Sequence, residues 1–132
     1  MEEKKYQIIL YGATGFTGKL CAEYYHSNYP DLSWAIAGRN KEKLENLKTE
    51  LNLGCDIFVA DSEDYEAIQN FVKQTKVVLS AAGPFAKYST KVVEACVEFK
   101  TRYTDITGEN HWVKGLIERF HDKAALDGTR IV

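Results

Sequence analysis

The stretch from Ile8 to Gly18, IILYGATGFTG, constrains this chain more than any other. It opens as an apolar run rich in β-formers, which reads as a strand buried on both faces. Three glycines at intervals of three follow directly, and then a helical pattern begins. Phe16, Leu20, Cys21, Tyr24 and Tyr25 recur at spacings near 3.6 and define one face of that helix. Strand, glycine turn and helix in this order are the context of a dinucleotide-binding fingerprint. Gly12 allows a sharp turn out of the strand. Gly15 leaves no Cβ where a pyrophosphate approaches the backbone, and Gly18 lets the helix lie close to the strand. Free N–H groups at the helix start, aided by the helix dipole, then face the anion. Gly12, Ala13, Thr14, Gly15, Phe16, Thr17 and Gly18 are the candidate phosphate-binding residues. The spacing is G-x-x-G-x-x-G, a variant found in nicotinamide enzymes related to short-chain dehydrogenases. The competing reading is a glycine-rich turn with no ligand.

Beyond this stretch, strands and helices alternate. Strands are predicted at Tyr6–Tyr11, Leu32–Ala37, Asp56–Ala60, Val77–Ala81 and Arg102–Ile106, with a sixth opening at Arg130–Val132. Helices are predicted over 16–27, 41–51, about 64–73, 89–99 and 111–125. Pro30 ends the first, and a glycine cap at Gly54 closes the second. Inward positions on the later helices include Ile68, Phe71 and Val72, then Val92, Val93 and Cys96, then Val113, Leu116, Ile117 and Phe120. Strands alternating with helices imply βαβ units, hence an α/β fold with a doubly wound parallel sheet in three layers. The fingerprint on the first strand implies the Rossmann order 3-2-1-4-5-6. Ligands on such sheets sit beyond the C-terminal ends of the strands, so the residues just after each strand are the informative ones.

The end of the second strand decides between cofactors. Sites for NAD place Asp or Glu about 20 residues beyond the last glycine, on the ribose 2′-hydroxyl. Here the residue 21 beyond Gly18 is Arg39, followed by Asn40 and Lys41. A guanidinium there can stack on adenine and grip a 2′-phosphate with two N–H bonds. Thr14 adds a hydroxyl from the glycine loop, and no carboxylate repels the phosphate. The expected cofactor is therefore NADP(H). Asp61, after the third strand, either accepts a hydrogen bond from the adenine amine or serves the helix N-terminus behind it. Ala82, Gly83, Pro84 and Phe85, after the fourth strand, are expected beside the pyrophosphate and nicotinamide ribose, unless they form a plain turn. Asp105 and Glu109, with His111 close behind, are the acid/base candidates at the end of the fifth strand. The alternative for Glu109 and Thr107 is helix capping. None of the eight tyrosines has a lysine four residues on, so the Tyr-x-x-x-Lys pair of short-chain dehydrogenases is absent.

Composition removes other classes. The 132 residues suffice for one domain, and 17 basic against 19 acidic side chains, with no basic run, argue against a nucleic-acid partner. Cys21, Cys55 and Cys96 are odd in number and lack C-x-x-C spacing, which fits reduced thiols in an intracellular, cytoplasmic protein. No metal site is expected. No apolar run reaches the ~18 residues of a membrane span, and the start, Met1-Glu2-Glu3-Lys4-Lys5, is not a signal peptide. Because the chain stops as a strand opens, it is expected to be a fragment of a longer protein.

Four stretches taken together, YGATGFTG at 11–18, AGRN at 37–40, GPF at 83–85 and YTDITGE at 103–109, resemble the N-terminal domain of saccharopine dehydrogenase-like oxidoreductases, a group that includes trans-acting enoyl reductases. The resemblance runs over nearly the whole chain, and the Y-x-D-x-x-G-E stretch is its specific part. It implies an NADP-binding Rossmann domain over 1–132, followed in the full-length protein by a larger C-terminal domain for substrate binding and dimerisation. It also implies hydride transfer to or from a small-molecule or lipid-like substrate held mainly by that second domain. The 132 residues alone are then expected to bind cofactor without turnover. A different class remains open: an NADP(H)-binding redox sensor that regulates a protein partner and catalyses nothing. A flavin or S-adenosylmethionine site is disfavoured by Arg39, since neither ligand carries a 2′-phosphate.

Overall fold

The computed structural model describes residues 4–132. Strand β1 (Tyr6–Tyr11) lies in the middle of the sheet, and its side chains show why it must. Ile9 and Tyr11 point into one apolar cluster and Leu10 into another, so both faces need cover. β2 (Trp34–Gly38) and β4 (Thr75–Ser80) flank it in parallel, with Leu10 in register with Ile36 on one side and Leu79 on the other. β3 (Asp56–Val59) and β5 (Arg102–Thr104) complete the order β3-β2-β1-β4-β5. This is the Rossmann arrangement expected, through its fifth strand. The sixth is not formed among the described residues: Ile131 makes only an isolated parallel bridge to Tyr103.

α1 (Phe16–Asn28) and α2 (Lys41–Glu50) cover one face; α3 (Tyr65–Val72) and α5 (Thr90–Glu98) cover the other, with α6 (Asn110–Asp127) beside them. The apolar face read for α1 is corrected by the structure. Its fully buried residues are Gly18 and Ala22, with Cys21 and Tyr25 packed against the core. Phe16, Leu20 and Tyr24 face outward, Phe16 being 84% exposed. The cause is the close approach of α1 to the turn after β1, which only small side chains fit. α6 also differs. Only Ala124 is fully buried; Trp112, Leu116 and Phe120 pack partly, and Ile117 is exposed. The helix stands off the β5 edge and leaves an apolar groove of about 400 Å³.

Three smaller differences have local causes. The left-handed residue after α2 is Asn52 (φ 53°), whose amide side chain tolerates that conformation, and Gly54 does not provide the cap. The helix predicted over 89–99 is α5 (Thr90–Glu98), and a further short helix, α4 (Phe85–Tyr88), precedes it where only a turn is expected, with Ser89 between the two. Ser89 is buried and shares a 2.8 Å hydrogen bond with Ser80 at the end of β4. β5 stops at Thr104, because Asp105 turns to accept the Thr107 N–H at 2.9 Å.

Candidate functional site

The glycine turn is set by contacts that only hydrogen could occupy. Gly12 has φ +79°, and a Cβ built there would lie 2.7 Å from the Ala82 nitrogen. Its N–H donates to Ala37 in β2 at 2.9 Å, while the Ala81 N–H donates to Tyr11 at 2.8 Å. The turn is therefore fastened to both neighbouring strands. A Cβ on Gly18 would meet the Gly12 oxygen at 2.1 Å. Gly15 is different: its nearest neighbour would be the Gly12 oxygen at 3.7 Å, so the space before it is open. Gly15 is also the residue that caps α1, and no side-chain capping bond is made there. The first turn of α1 carries no acidic side chain either. These features fit the anionic part of a dinucleotide at the start of α1.

A groove of about 290 Å³ opens over this turn. Gly12, Thr14, Gly15, Arg39, Ala82 and Gly83 line it, so the structure brings together candidates from the ends of three strands. Ala13 is buried beneath the turn, Gly18 is buried against it, and Phe16 and Thr17 stand exposed on α1. Asn40 is engaged elsewhere: its side-chain oxygen caps α2 by accepting the Lys43 N–H at 3.0 Å. That cap, with Glu42 in the same turn, relieves the charge conflict of Arg39 and Lys41 at a helix start. Asp61 accepts the Glu63 N–H at 2.9 Å, and its neighbour Ser62 reaches the groove.

Tyr11 and Tyr88 also line the groove and were not among the residues singled out from sequence. Tyr11 is buried and stacks on Phe71, and burial, reinforced by the Asp61 charge, pushes its hydroxyl up to about 12. Its position in the fingerprint was a signal for it; Tyr88 gave none, because it precedes the helix predicted over 89–99 and no element is expected there.

The acid/base candidates do not line this groove. Asp105 lies at the β5 edge, accepts the Tyr103 hydroxyl at 2.6 Å, and faces the apolar groove under α6. Burial first, and then the Asp105 carboxylate, raise the Tyr103 hydroxyl well above the ordinary tyrosine range. Glu109 reaches across to α4, where it accepts the Phe85 N–H at 2.7 Å and the Ala86 N–H at 3.1 Å. His111 is exposed in the first turn of α6. Pro84 precedes α4, and Phe85 stacks on Trp112 with ring centroids 6.3 Å apart. The Y-x-D-x-x-G-E stretch thus ties the β5 end to the loop 81–86 that borders the groove.

That tie should be measurable. Glu109→Ala leaves two N–H groups at a helix start without their carboxylate. Charge-assisted bonds contribute about 1.5–3 kcal/mol each when shielded, and partial exposure here brings the expected loss for the pair to about 2 kcal/mol. A fall in Tm of about 8 °C follows for a domain of this size. Glu109→Gln keeps one acceptor and should lose about half as much. An unchanged melting temperature for Glu109→Ala would show that the bonds do not hold the loop.

Comparison with known proteins bears on the family and the fold. The family described as "Saccharopine dehydrogenase NADP binding domain" matches residues 8–132. Trans-acting enoyl reductase from Mycobacterium leprae is 34% identical over 134 residues, which is 99% of this chain and 32% of that protein. The trans-acting enoyl reductase of Mycobacterium tuberculosis strain H37Rv is 34% identical over 133 residues, 98% of this chain and 32% of its own length. The chain thus spans about a third of these relatives. Among solved structures, saccharopine dehydrogenase (L-Glu forming) from Saccharomyces cerevisiae aligns with a TM-score of 0.71 at 19% identity, over 84% of this chain and 24% of the other. An isoflavone reductase aligns at 0.63 and 18% identity, over 97% and 48%. At these identities the structures show a shared fold. The family match, extending over the glycine turn and every strand from β2 onward, shows more: the chain belongs to the saccharopine dehydrogenase NADP-binding domain family, and its cofactor is NADP(H).

Proposed function

We propose that this domain holds NADP(H) for an oxidoreductase of the trans-acting enoyl reductase type. The observation that carries the reading is the shared groove of Gly15 and Arg39. Gly12, Gly15 and the start of α1 would hold the pyrophosphate, Arg39 and Thr14 the 2′-phosphate, and Ala82 to Phe85 the nicotinamide half. When bound, the cofactor supplies a hydride. The chain's own residues orient it: the glycine turn fixes the phosphates, and Glu109 holds the loop on which the nicotinamide half would lie. Asp105 and Glu109 are spent on the Tyr103 hydroxyl and on α4, which supports positioning roles for them. Acid/base groups and most of the substrate pocket would then come from other parts of a longer protein, in keeping with the third of the relatives' length matched. The substrate would be a small molecule or lipid-like, and the full-length protein a homodimer acting in the cytoplasm.

Titration of both cofactors tests the site. NADPH should bind more tightly than NADH, and Arg39 should carry most of the difference. A charge-assisted bond to phosphate contributes about 1.5–3 kcal/mol, less what an open site loses to solvent. The expected preference is roughly 10- to 100-fold. Arg39→Ala should erase most of it by weakening NADPH, and the preference should shrink as salt rises. Equal affinity of the unaltered chain for NADH and NADPH would make Arg39 a surface residue only.

A further inference from the structure

We infer that Tyr88 is a positioning residue for cofactor discrimination, acting by presenting the Arg39 guanidinium to the 2′-phosphate. The inference rests on the proposed role of Arg39. Arg39 follows β2, whereas Tyr88 ends α4 beyond β4, so they approach from opposite sides of the groove over β1. The guanidinium carbon lies 5.9 Å from the Tyr88 ring centroid. A guanidinium at that distance is attracted by the ring's negative face. Arg39 has no carboxylate among its salt-bridge partners in the described residues, so the ring is the group that restrains this long side chain. The ammonium of Lys87 lies 5.2 Å from the same ring and adds positive charge beside it.

Tyr88 is itself firmly placed. Glu109 binds the first N–H groups of α4, and the next residue, Ser89, is buried with its hydroxyl on Ser80 and its N–H on the Phe85 oxygen at 2.7 Å. The backbone that carries the ring is therefore held at both ends of α4. An arginine held in advance loses less side-chain freedom when it meets the phosphate. The gain in the phosphate grip applies to NADPH alone, because NADH carries no 2′-phosphate, whereas stacking on adenine is common to both cofactors and leaves the preference unchanged. The phenol hydroxyl has no part in this; the ring face does.

The test is a set of titrations with NADPH and NADH on the unaltered chain, Tyr88→Leu, Tyr88→Phe, Arg39→Ala and the double variant. Tyr88→Leu should lower the NADPH preference about three- to tenfold, a change of the size expected for a partly exposed cation–ring contact. Tyr88→Phe should keep the preference within about twofold, since the ring face remains. In the Arg39→Ala background, Tyr88→Leu should change the preference no further, as required of two residues acting as one unit. An unchanged preference in Tyr88→Leu overturns the inference, and so does an equal fall with and without Arg39. If the unaltered chain itself binds both cofactors equally, the Arg39 reading fails and this one with it. A clear preference that Tyr88→Leu leaves intact removes Tyr88 alone.

Discussion

Gly18→Ala is expected to cost this domain more stability than any other single methyl group added to the glycine turn. The new Cβ would lie 2.1 Å from the Gly12 oxygen and within 2.9 Å of two Ala13 backbone atoms. No flexible side chain is there to give way; either α1 or the turn after β1 must move. Helix propensity acts in the opposite direction, since alanine is favoured over glycine by about 1 kcal/mol inside a helix. Overpacking costs about 1–3 kcal/mol in ordinary cores, where side chains can shift. Against rigid backbone on both sides the net loss should exceed ~3 kcal/mol, a large part of the ~5–15 kcal/mol that holds a domain together. Thermal denaturation should show a Tm lower by 10 °C or more, about what that loss implies for a domain of this size. A variant melting within ~2 °C of the unaltered chain would mean that α1 does not sit against the turn.

Gly15→Val should do the reverse, leaving a folded domain that has lost its cofactor. The φ of −76° at Gly15 is open to any residue, and the added side chain enters free space. Valine is a poorer residue than glycine before a helix, so about 1 kcal/mol of stability is lost. The same side chain fills the approach to the first N–H groups of α1, where a pyrophosphate must come close. Affinity for NADPH should fall by at least ~100-fold, equivalent to about 2.7 kcal/mol. Calorimetry with circular dichroism on the same sample decides the matter. A folded variant with undiminished affinity would move the phosphates away from Gly15.

How much of this was legible in the sequence depended on whether a feature is local. The turn after β1 was legible because a strand, its exit turn and the following helix are adjacent in the chain. Arg39 was found by counting from Gly18, since a βαβ unit has a nearly fixed length. The sheet order through β5 followed from the same units. What escaped were features made by distant neighbours. Glu109 meets α4 from 23 and 24 residues away, so a carboxylate that read as an acid/base candidate is in fact engaged with backbone N–H groups. Tyr88 meets Arg39 across the groove, and no periodicity marks that meeting. The inward face of α1 was misread in part because large apolar residues normally face a core; here the backbone contact at Gly18 turns Gly18 and Ala22 fully inward, leaves Cys21 and Tyr25 at the margin of the core, and sends Phe16, Leu20 and Tyr24 outward. α6 was read as packing more fully than it does, because its apolar residues face a sheet edge that ends at three residues of β5.

The way helix starts are finished has a consequence for where negative charge can settle on this molecule. Along the C-terminal edge of the sheet, α2 begins under the Asn40 side chain, α3 under the Asp64 carboxylate and α4 under that of Glu109. The same Glu109 stands immediately before α6. The starts of α2, α3 and α4 thus already have an oxygen in place, and the last two a full negative charge that repels another anion. α1 alone among these begins with a glycine. The polypeptide thus sorts its own anions away from one helix, and on the placement proposed for the phosphates a dinucleotide sliding along the edge would meet repulsion at its wrong registers as well as attraction at the right one. Fidelity of docking would then be distributed over the Asp64 and Glu109 carboxylates, which are themselves engaged with backbone N–H groups.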